Sequence, residues 1–238
     1  NKSLQLEKIK YVHAVDDVSF EVYEGEIFGV VGESGSGKST IGRCILKLID
    51  ITEGEIQFKG EDISNFKFNQ MKPYRKEMQM VFQNPLSSFN PKKTIGGALS
   101  EIGKVYKMSK IETDNRIQEL LDLIKLPSDV LYRSPGELSG GQLQRLAIAR
   151  ALILNPAFVM ADEPVSALDV SVQSQILNLF MDLRDKLGVT MMFVSHDLNV
   201  VRYVCDNVAV MYLGKIVEMA PVDQLFSNTL HPYTQALI

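Results

Sequence analysis

The chain has 238 residues, 45% of them hydrophobic and 23% charged, with a formal net charge of −4. That length and apolar content suit one large domain or two small ones, and the acid excess excludes a nucleic-acid binder that works through a basic face. No apolar run approaches the ~20 residues that a membrane-spanning helix needs, and Asn1-Lys2-Ser3-Leu4-Gln5 carries no signal-peptide core and no initiator methionine, as expected of a trimmed chain.

Residues 4 to 31 alternate apolar and polar side chains through Leu4, Leu6, Val18, Phe20 and Val22. This pattern predicts antiparallel strands feeding a buried strand at Glu26-Ile27-Phe28-Gly29-Val30-Val31. Tyr11 falls in the same stretch, where it is either a platform for an adenine ring or a half-buried strand tyrosine. After the buried strand comes Gly32-Glu33-Ser34-Gly35-Ser36-Gly37-Lys38-Ser39-Thr40, which fits the pattern G-x-x-x-x-G-K-[ST]. Ile41, Ile45, Leu46 and Ile49 then repeat at helical spacing. Gly54 to Gly60 reads as a short strand, forming with the N-terminal strands a small β-subdomain. Met78-Gln79-Met80-Val81-Phe82 reads as another strand, ended by Gln83-Asn84-Pro85.

From Pro91 to about Leu126 the signal is helical. Ile95, Leu99, Ile102 and Tyr106 mark one apolar face, and Ile117, Leu120, Leu121 and Ile124 a second, with Asp114 as the expected N-cap. Pro127 and Ser134-Pro135-Gly136 close this insert. The remainder reads strand (157–161), helix (172–187), strand (190–194), helix (198–204), which predicts a parallel sheet with helices on both faces. A hairpin over 207–219 turns at Gly214. Cys44 and Cys205 sit in helical apolar patterns with no C-x-x-C neighbour and are expected to be buried reduced thiols.

The chemistry of the glycine-rich stretch follows from its spacing. Glycines let several N–H groups approach phosphate oxygens, and the helix beginning near Lys38 aims its positive end at the same point. Lys38 reaches the β- and γ-phosphates, and the Ser39 hydroxyl ligates Mg²⁺. Ala161-Asp162-Glu163-Pro164 closes the first of the later strands, where parallel sheets bind ligands. Alone this would be an ordinary acidic turn; after a phosphate loop it places Asp162 near the metal and Glu163 beside the γ-phosphate, orienting water. Ser195-His196-Asp197 ends the next strand in the same way, and His196 is expected to donate to the γ-phosphate rather than act as a base. Leu138-Ser139-Gly140-Gly141-Gln142 precedes a helix and makes a second anion-binding start. One nucleotide cannot easily use two such cradles of one domain, which points to a second copy supplying it across an interface.

Taken together, these motifs resemble the nucleotide-binding domain of an ATP-binding-cassette (ABC) transporter over nearly the whole chain and in that family's order. Gln83 corresponds to the switch glutamine, 138–142 to the signature, Ser166-Ala167-Leu168-Asp169 to the segment at the dimer interface, and His196 to the switch histidine. The resemblance implies an α/β fold: a P-loop NTPase (RecA-like) core, an antiparallel β-subdomain and a helical signature subdomain. It divides the chain into β-subdomain and core at about 1–85, helical subdomain at about 86–152 and core at about 153–238. It implies ATP and Mg²⁺ as ligands, with Gln83 sensing the γ-phosphate and the metal. The implied partners are a second ABC ATPase subunit, membrane permease subunits and, indirectly, an extracytoplasmic solute-binding protein, on the cytoplasmic face of a membrane; no nucleic acid is expected. Met80 to Pro91 and His231-Pro232-Tyr233-Thr234 resemble the oligopeptide/dipeptide/nickel importers more narrowly. Leu143 departs from the basic residue of many relatives, and the chain stops where peptide importers often continue into a cysteine-rich tail. Alternatives are a soluble cassette ATPase uncoupled from transport, or import of another small solute.

Overall fold

Strand β1 (Ile27–Val31) is buried at all five positions, and the rest of the sheet is arranged about it. The structure is a computed structural model that describes residues 12–238; Leu4, Leu6 and Tyr11 lie outside the described residues. After β1 come α1 (Lys38–Ile45), a hairpin of β2 (Gln57–Phe58) and β3 (Glu61–Asp62), α2 (Tyr74–Glu77) and β4 (Met78–Val81). Three helices follow, α3 (Ile95–Val105), α4 (Lys110–Leu123) and α5 (Gly140–Leu152). The chain continues through β5 (Phe158–Asp162), α6 (Val170–Leu187), β6 (Thr190–Ser195), α7 (Leu198–Val204), β7 (Asn207–Tyr212), β8 (Lys215–Pro221), α8 (Val222–Ser227) and α9 (Pro232–Leu237).

Among the described residues the main sheet has six strands in the order β4-β5-β6-β1-β7-β8, parallel except for β8, which returns antiparallel against β7. Successive strand residues face opposite ways, so each strand feeds two cores. Ile27 and Val31 of β1, with Met191 and Phe193 of β6, join the helices α3 to α7 on one face. Phe28 and Val30, with Met192 and Val194, join Ile41 and Leu46 on the other. Burial on both faces is what a parallel sheet requires. The start of β1 is pinned by Asp206, whose carboxylate accepts from Ile27 N–H at 2.8 Å and pairs with Arg184 at 3.1 Å.

Two local expectations are corrected. No strand precedes β1 among the described residues, although the alternation persists as burial: Val18, Phe20 and Val22 are half-buried and Ser19, Glu21 and Tyr23 exposed. These side chains pack on the sheet, Phe20 stacked on Phe28 at 5.1 Å, so the period reports a packed face without a hydrogen-bonded ladder. The cap of α4 is Ser109 rather than Asp114. Ser109 and Glu112 exchange side-chain bonds with each other's N–H groups, while Asp114 is an exposed residue one turn inside the helix. Arg116 and Arg145 hold the insert together at its helix ends, bonding Leu152 O at 3.0 Å and Ile124 O at 3.2 Å. Leu143 is 3% exposed within the same core, so its apolar character is used in packing. Cys44 and Cys205 are both free thiols; Cys205 is buried, and burial pushes its thiol well above the ordinary range.

The capping assignment is directly testable. Ser109→Ala is expected to cost about 1 kcal/mol in urea unfolding, and Asp114→Ala to stay within about 0.5 kcal/mol of the parent. The reverse order would restore Asp114 as the cap.

Candidate functional site

Parallel strands run in one direction, so their ends share an edge. Val31 pairs with Ser195, and Asp162 with Val194, which brings the residues just after β1, β5 and β6 together: Gly32, Glu163 and His196. The two ends of the site are thus set by strand register alone.

The loop from Gly32 to Gly37 is held on the side away from solvent by the C-terminal hairpin. A Cβ on Gly32 (φ +151°) would lie 2.1 Å from Met211 O, and one on Gly37 (φ +105°) 2.2 Å from Ala14 O. Neither position has room for a side chain. Gly37 stands at the N-cap of α1 with no side-chain cap, so the first-turn N–H groups face the loop's concave side. Glu33, Ser34 and Gly35 form its exposed rim, Ser36 is buried, and Thr40 continues α1. Lys38 is 4% exposed. Its Nζ donates to Gly32 O at 2.8 Å and Glu33 O at 2.7 Å and lies 3.4 Å from Ser36 Oγ. Burial lowers its pKa, and the charges of Glu163 and Asp162 oppose that fall.

Ser39 Oγ donates to Asp162 Oδ1 at 2.8 Å. Burial pushes the Asp162 carboxyl above its usual range, against the pull of the Ser39 bond and of Arg43 and Lys38. A hydroxyl and a carboxylate in contact, next to the phosphate loop, form an oxygen-only donor pair of the kind Mg²⁺ takes when phosphates and water supply its other ligands. The residues fit a hard divalent cation.

Glu163 is the meeting point. Gln83 Nε2 donates to Glu163 Oε2 at 2.9 Å, and His196 Nδ1 lies 3.3 Å from the same oxygen. All three elements after β4, β5 and β6 therefore contribute to one carboxylate. Glu163 sits at φ +45°, a left-handed conformation that costs a non-glycine residue about 1–3 kcal/mol, and its N–H is tied to Val194 O at 3.0 Å. Ser166 went unnoticed in the sequence as a partner of this cluster. Its hydroxyl bonds Glu163 O at 3.1 Å and accepts from Gln83 Nε2 at 3.3 Å, three residues beyond Glu163 in the same turn.

Ser139, Gly140, Gly141 and Gln142 lie elsewhere, at the start of α5. Ser139 caps the helix, accepting from Gln142 N–H at 3.3 Å while Gln142 Oε1 accepts from Ser139 N–H at 3.1 Å. Ser139 and Gly140 are exposed, and their bonds stay within the helix start. A second missed contact reaches the loop from far along the chain: Tyr233 Oη accepts from Glu33 N–H at 2.9 Å. Position 233 drew notice in the sequence only as part of His231-Pro232-Tyr233-Thr234, since a contact 200 residues distant leaves no local signal.

Residues 15–166 match the family described as ABC transporter. The chain is 49% identical over 233 residues to a protein of Streptococcus mutans named oligopeptide transport ATP-binding protein OppF, covering 97% of this chain and 76% of that one. Among solved structures, the dimeric post-hydrolysis state of the ATP-binding cassette MJ0796, bound to ADP and Pi, aligns with a TM-score of 0.78 at 32% identity. That alignment covers 88% of this chain and 90% of that one. A cbiO1 structure from Clostridium perfringens, part of the ABC transporter complex cbiONQ, aligns with a TM-score of 0.84 at 26% identity, covering 90% and 84%.

Adding a methyl group at Gly37 tests whether the loop is as tightly seated as its contacts require. Gly37→Ala is expected to destabilise the nucleotide-free chain by more than about 1 kcal/mol in denaturant unfolding. An unchanged midpoint would mean that the loop relaxes freely away from Ala14.

Proposed function

The chain belongs to the ABC transporter family, and from that premise we propose that it is the ATP-hydrolysing subunit of a peptide importer, working in a dimer on separate membrane permease subunits. It is an ATPase. The observation that carries the mechanism is the convergence of Gln83 and His196 on Glu163, at the sheet edge that also holds Lys38.

In this reading Lys38 turns from its loop carbonyls toward the β- and γ-phosphate oxygens, and the N–H groups from Gly35 to Thr40 close around them. Glu163 accepts a hydrogen bond from the attacking water and takes its proton as the oxygen approaches phosphorus. His196 donates to the γ-phosphate, and Gln83, on the exposed segment after β4, reports whether that phosphate is present to the neighbouring helices. Ser39 and Asp162, with Gln83, would hold Mg²⁺, which when bound would neutralise charge on the phosphates. Ser139 and the N–H groups of Gly140 and Gly141 complete the site of the opposite subunit. The whole chain is then one cassette, with core at about 1–85 and 153–238 and a helical subdomain at about 86–152.

Peptides as the solute class are supported by the name of the Streptococcus relative, and the dimer by the MJ0796 cassette. Among the described residues no helix is long and apolar enough to cross a membrane. Attachment to the cytoplasmic face is therefore assigned to permease subunits, with an extracytoplasmic solute-binding protein acting through them. The membership of cbiO1 in a transporter complex supports this over a cassette uncoupled from transport. The solute meets the permease rather than this chain, so a nickel chelate or another small solute would use the same ATPase chemistry.

Glu163→Gln is expected to bind ATP with near-parental affinity and to lose about 10²–10⁴-fold in turnover. Near-parental hydrolysis would remove Glu163 from the role of base. For sharing of the site, Lys38→Ala and Ser139→Ala chains are mixed. In a homodimer one composite site then holds both lesions and the other neither, so the mixture should recover part of the activity that each variant lacks alone. Absence of recovery, with mixed dimers shown to form, would refute a shared site.

A further inference from the structure

The Gly32–Glu33 peptide is gripped from both ends. Its carbonyl, Gly32 O, accepts from the Lys38 ammonium at 2.8 Å, and its N–H, on Glu33, donates to Tyr233 Oη at 2.9 Å. The two groups belong to one rigid plane, so whatever fixes the N–H also fixes the carbonyl on which the ammonium rests. Gly32 has no Cβ and sits at φ +151°, so its own side chain does not restrict the plane. Hydrogen bonds at the two ends add to the packing of Met211 O behind Gly32, and an ammonium polarising the carbonyl strengthens donation from the N–H.

Tyr233 is itself placed by a chain of contacts. Glu218 of β8 accepts from Leu230 N–H at 2.8 Å and His231 N–H at 3.0 Å. His231 Nδ1 then accepts from Tyr233 N–H at 3.1 Å at the start of α9. The Tyr233 ring packs on Tyr212, the last residue of β7, with centroids 4.3 Å apart. Two residues beyond Tyr212, Gly214 N–H donates to Ser36 O at 3.0 Å. The C-terminal hairpin and α9 thus grip the phosphate loop at Glu33 and at Ser36, on either side of its exposed rim at Ser34 and Gly35.

We infer that Tyr233 is a positioning residue for the nucleotide's phosphates: its hydroxyl fixes the Gly32–Glu33 peptide, and with it the course of the loop whose N–H groups receive them. This rests on the reading of the loop as the phosphate site. A tyrosine that merely anchored α9 would act through its ring on Tyr212 and would leave phosphate affinity alone. Glu33 is exposed, so water takes its N–H when the hydroxyl is removed, and stability should hold while the peptide loses its fixed orientation. The bond lies on the loop backbone, away from the Glu163 carboxylate that faces the reacting water, so its loss should appear in binding and not in the chemical step.

The test compares the full chain with Tyr233→Phe, which keeps the ring, and Tyr233→Leu, which does not. Affinity is measured for ATP and for inorganic triphosphate, with KM, kcat and the melting temperature of the nucleotide-free chain alongside. Tyr233→Phe is expected to weaken both ligands by one common factor of about three to ten, the range of a single hydrogen bond. KM should rise with Kd while kcat and melting temperature stay at parental values; only Tyr233→Leu should also lower the melting temperature. Parental affinity in Tyr233→Phe overturns the inference, as does weakening of ATP without weakening of triphosphate, or a melting temperature that falls to that of Tyr233→Leu. Failure of the parental chain to bind either ligand would instead overturn the reading of the loop.

Discussion

Lys38 is 4% exposed as a residue, and its ammonium must find oxygens, because a buried charge without partners is not tolerated. Much of the architecture around Lys38 answers that demand. The loop curls so that two successive carbonyls, of Gly32 and Glu33, face inward rather than outward. Such a curl needs backbone conformations open only to glycine at its two ends, and neighbours close enough to exclude water: Met211 O behind Gly32 and Ala14 O behind Gly37. Asp162 and Glu163 add opposing charge from the adjacent strand end, offsetting part of the fall in the lysine's pKa that burial causes. The cation is thus held mainly by neutral carbonyl dipoles. It can turn toward phosphate by exchanging one set of oxygens for another, without breaking a buried ion pair, whose loss would cost far more.

The sheet makes this placement rigid. β1, β6 and β5 are neighbours in parallel register, with both faces covered, and a slip of one residue would turn every side chain to the wrong core. Register is therefore fixed by packing on both sides at once, and the residues one step past each strand inherit that precision. Gln83 comes from a different setting. It follows β4, the edge strand of the sheet, and is exposed, so the sheet supports its bond to Glu163 from one side only.

The sequence reveals most where a local pattern has only one physical use. The strand–loop–helix course around Gly32 to Lys38, the place of Asp162 and Glu163 at a strand end and the buried strands around them were legible because glycine spacing and continuous apolar runs have few alternative readings. The extended stretch before β1 was less so: alternation at Val18, Phe20 and Val22 reports which side chains face the sheet, and is silent on whether the backbone pairs. At α4 an acidic residue competed with a serine three positions from a glutamate, and the serine prevails because its capping box satisfies two N–H groups where Asp114 would satisfy none. Ser166 and Tyr233 were illegible for another reason. Their partners are chosen by the fold, through a tight turn in one case and through a helix returning from the end of the chain in the other.

The two glycine-bearing helix starts, at Lys38 and at Ser139, differ in their surroundings. The first is braced: its lysine is buried, and its loop is backed by Met211 O and Ala14 O. The second, at Ser139, is capped by its own residues and open to solvent. A helix start facing water contributes only about 0.3–1 kcal/mol toward an anion, because salt and solvent screen it. The same N–H groups contribute several times more once water is excluded. Ser139 and its glycines therefore gain force only when another surface covers them, and the surface whose charge suits them is one that presents bound phosphates. On the proposed reading, a second cassette in opposed orientation would supply that surface and receive the same service in return, making two half-sites of unequal strength into two equivalent whole ones.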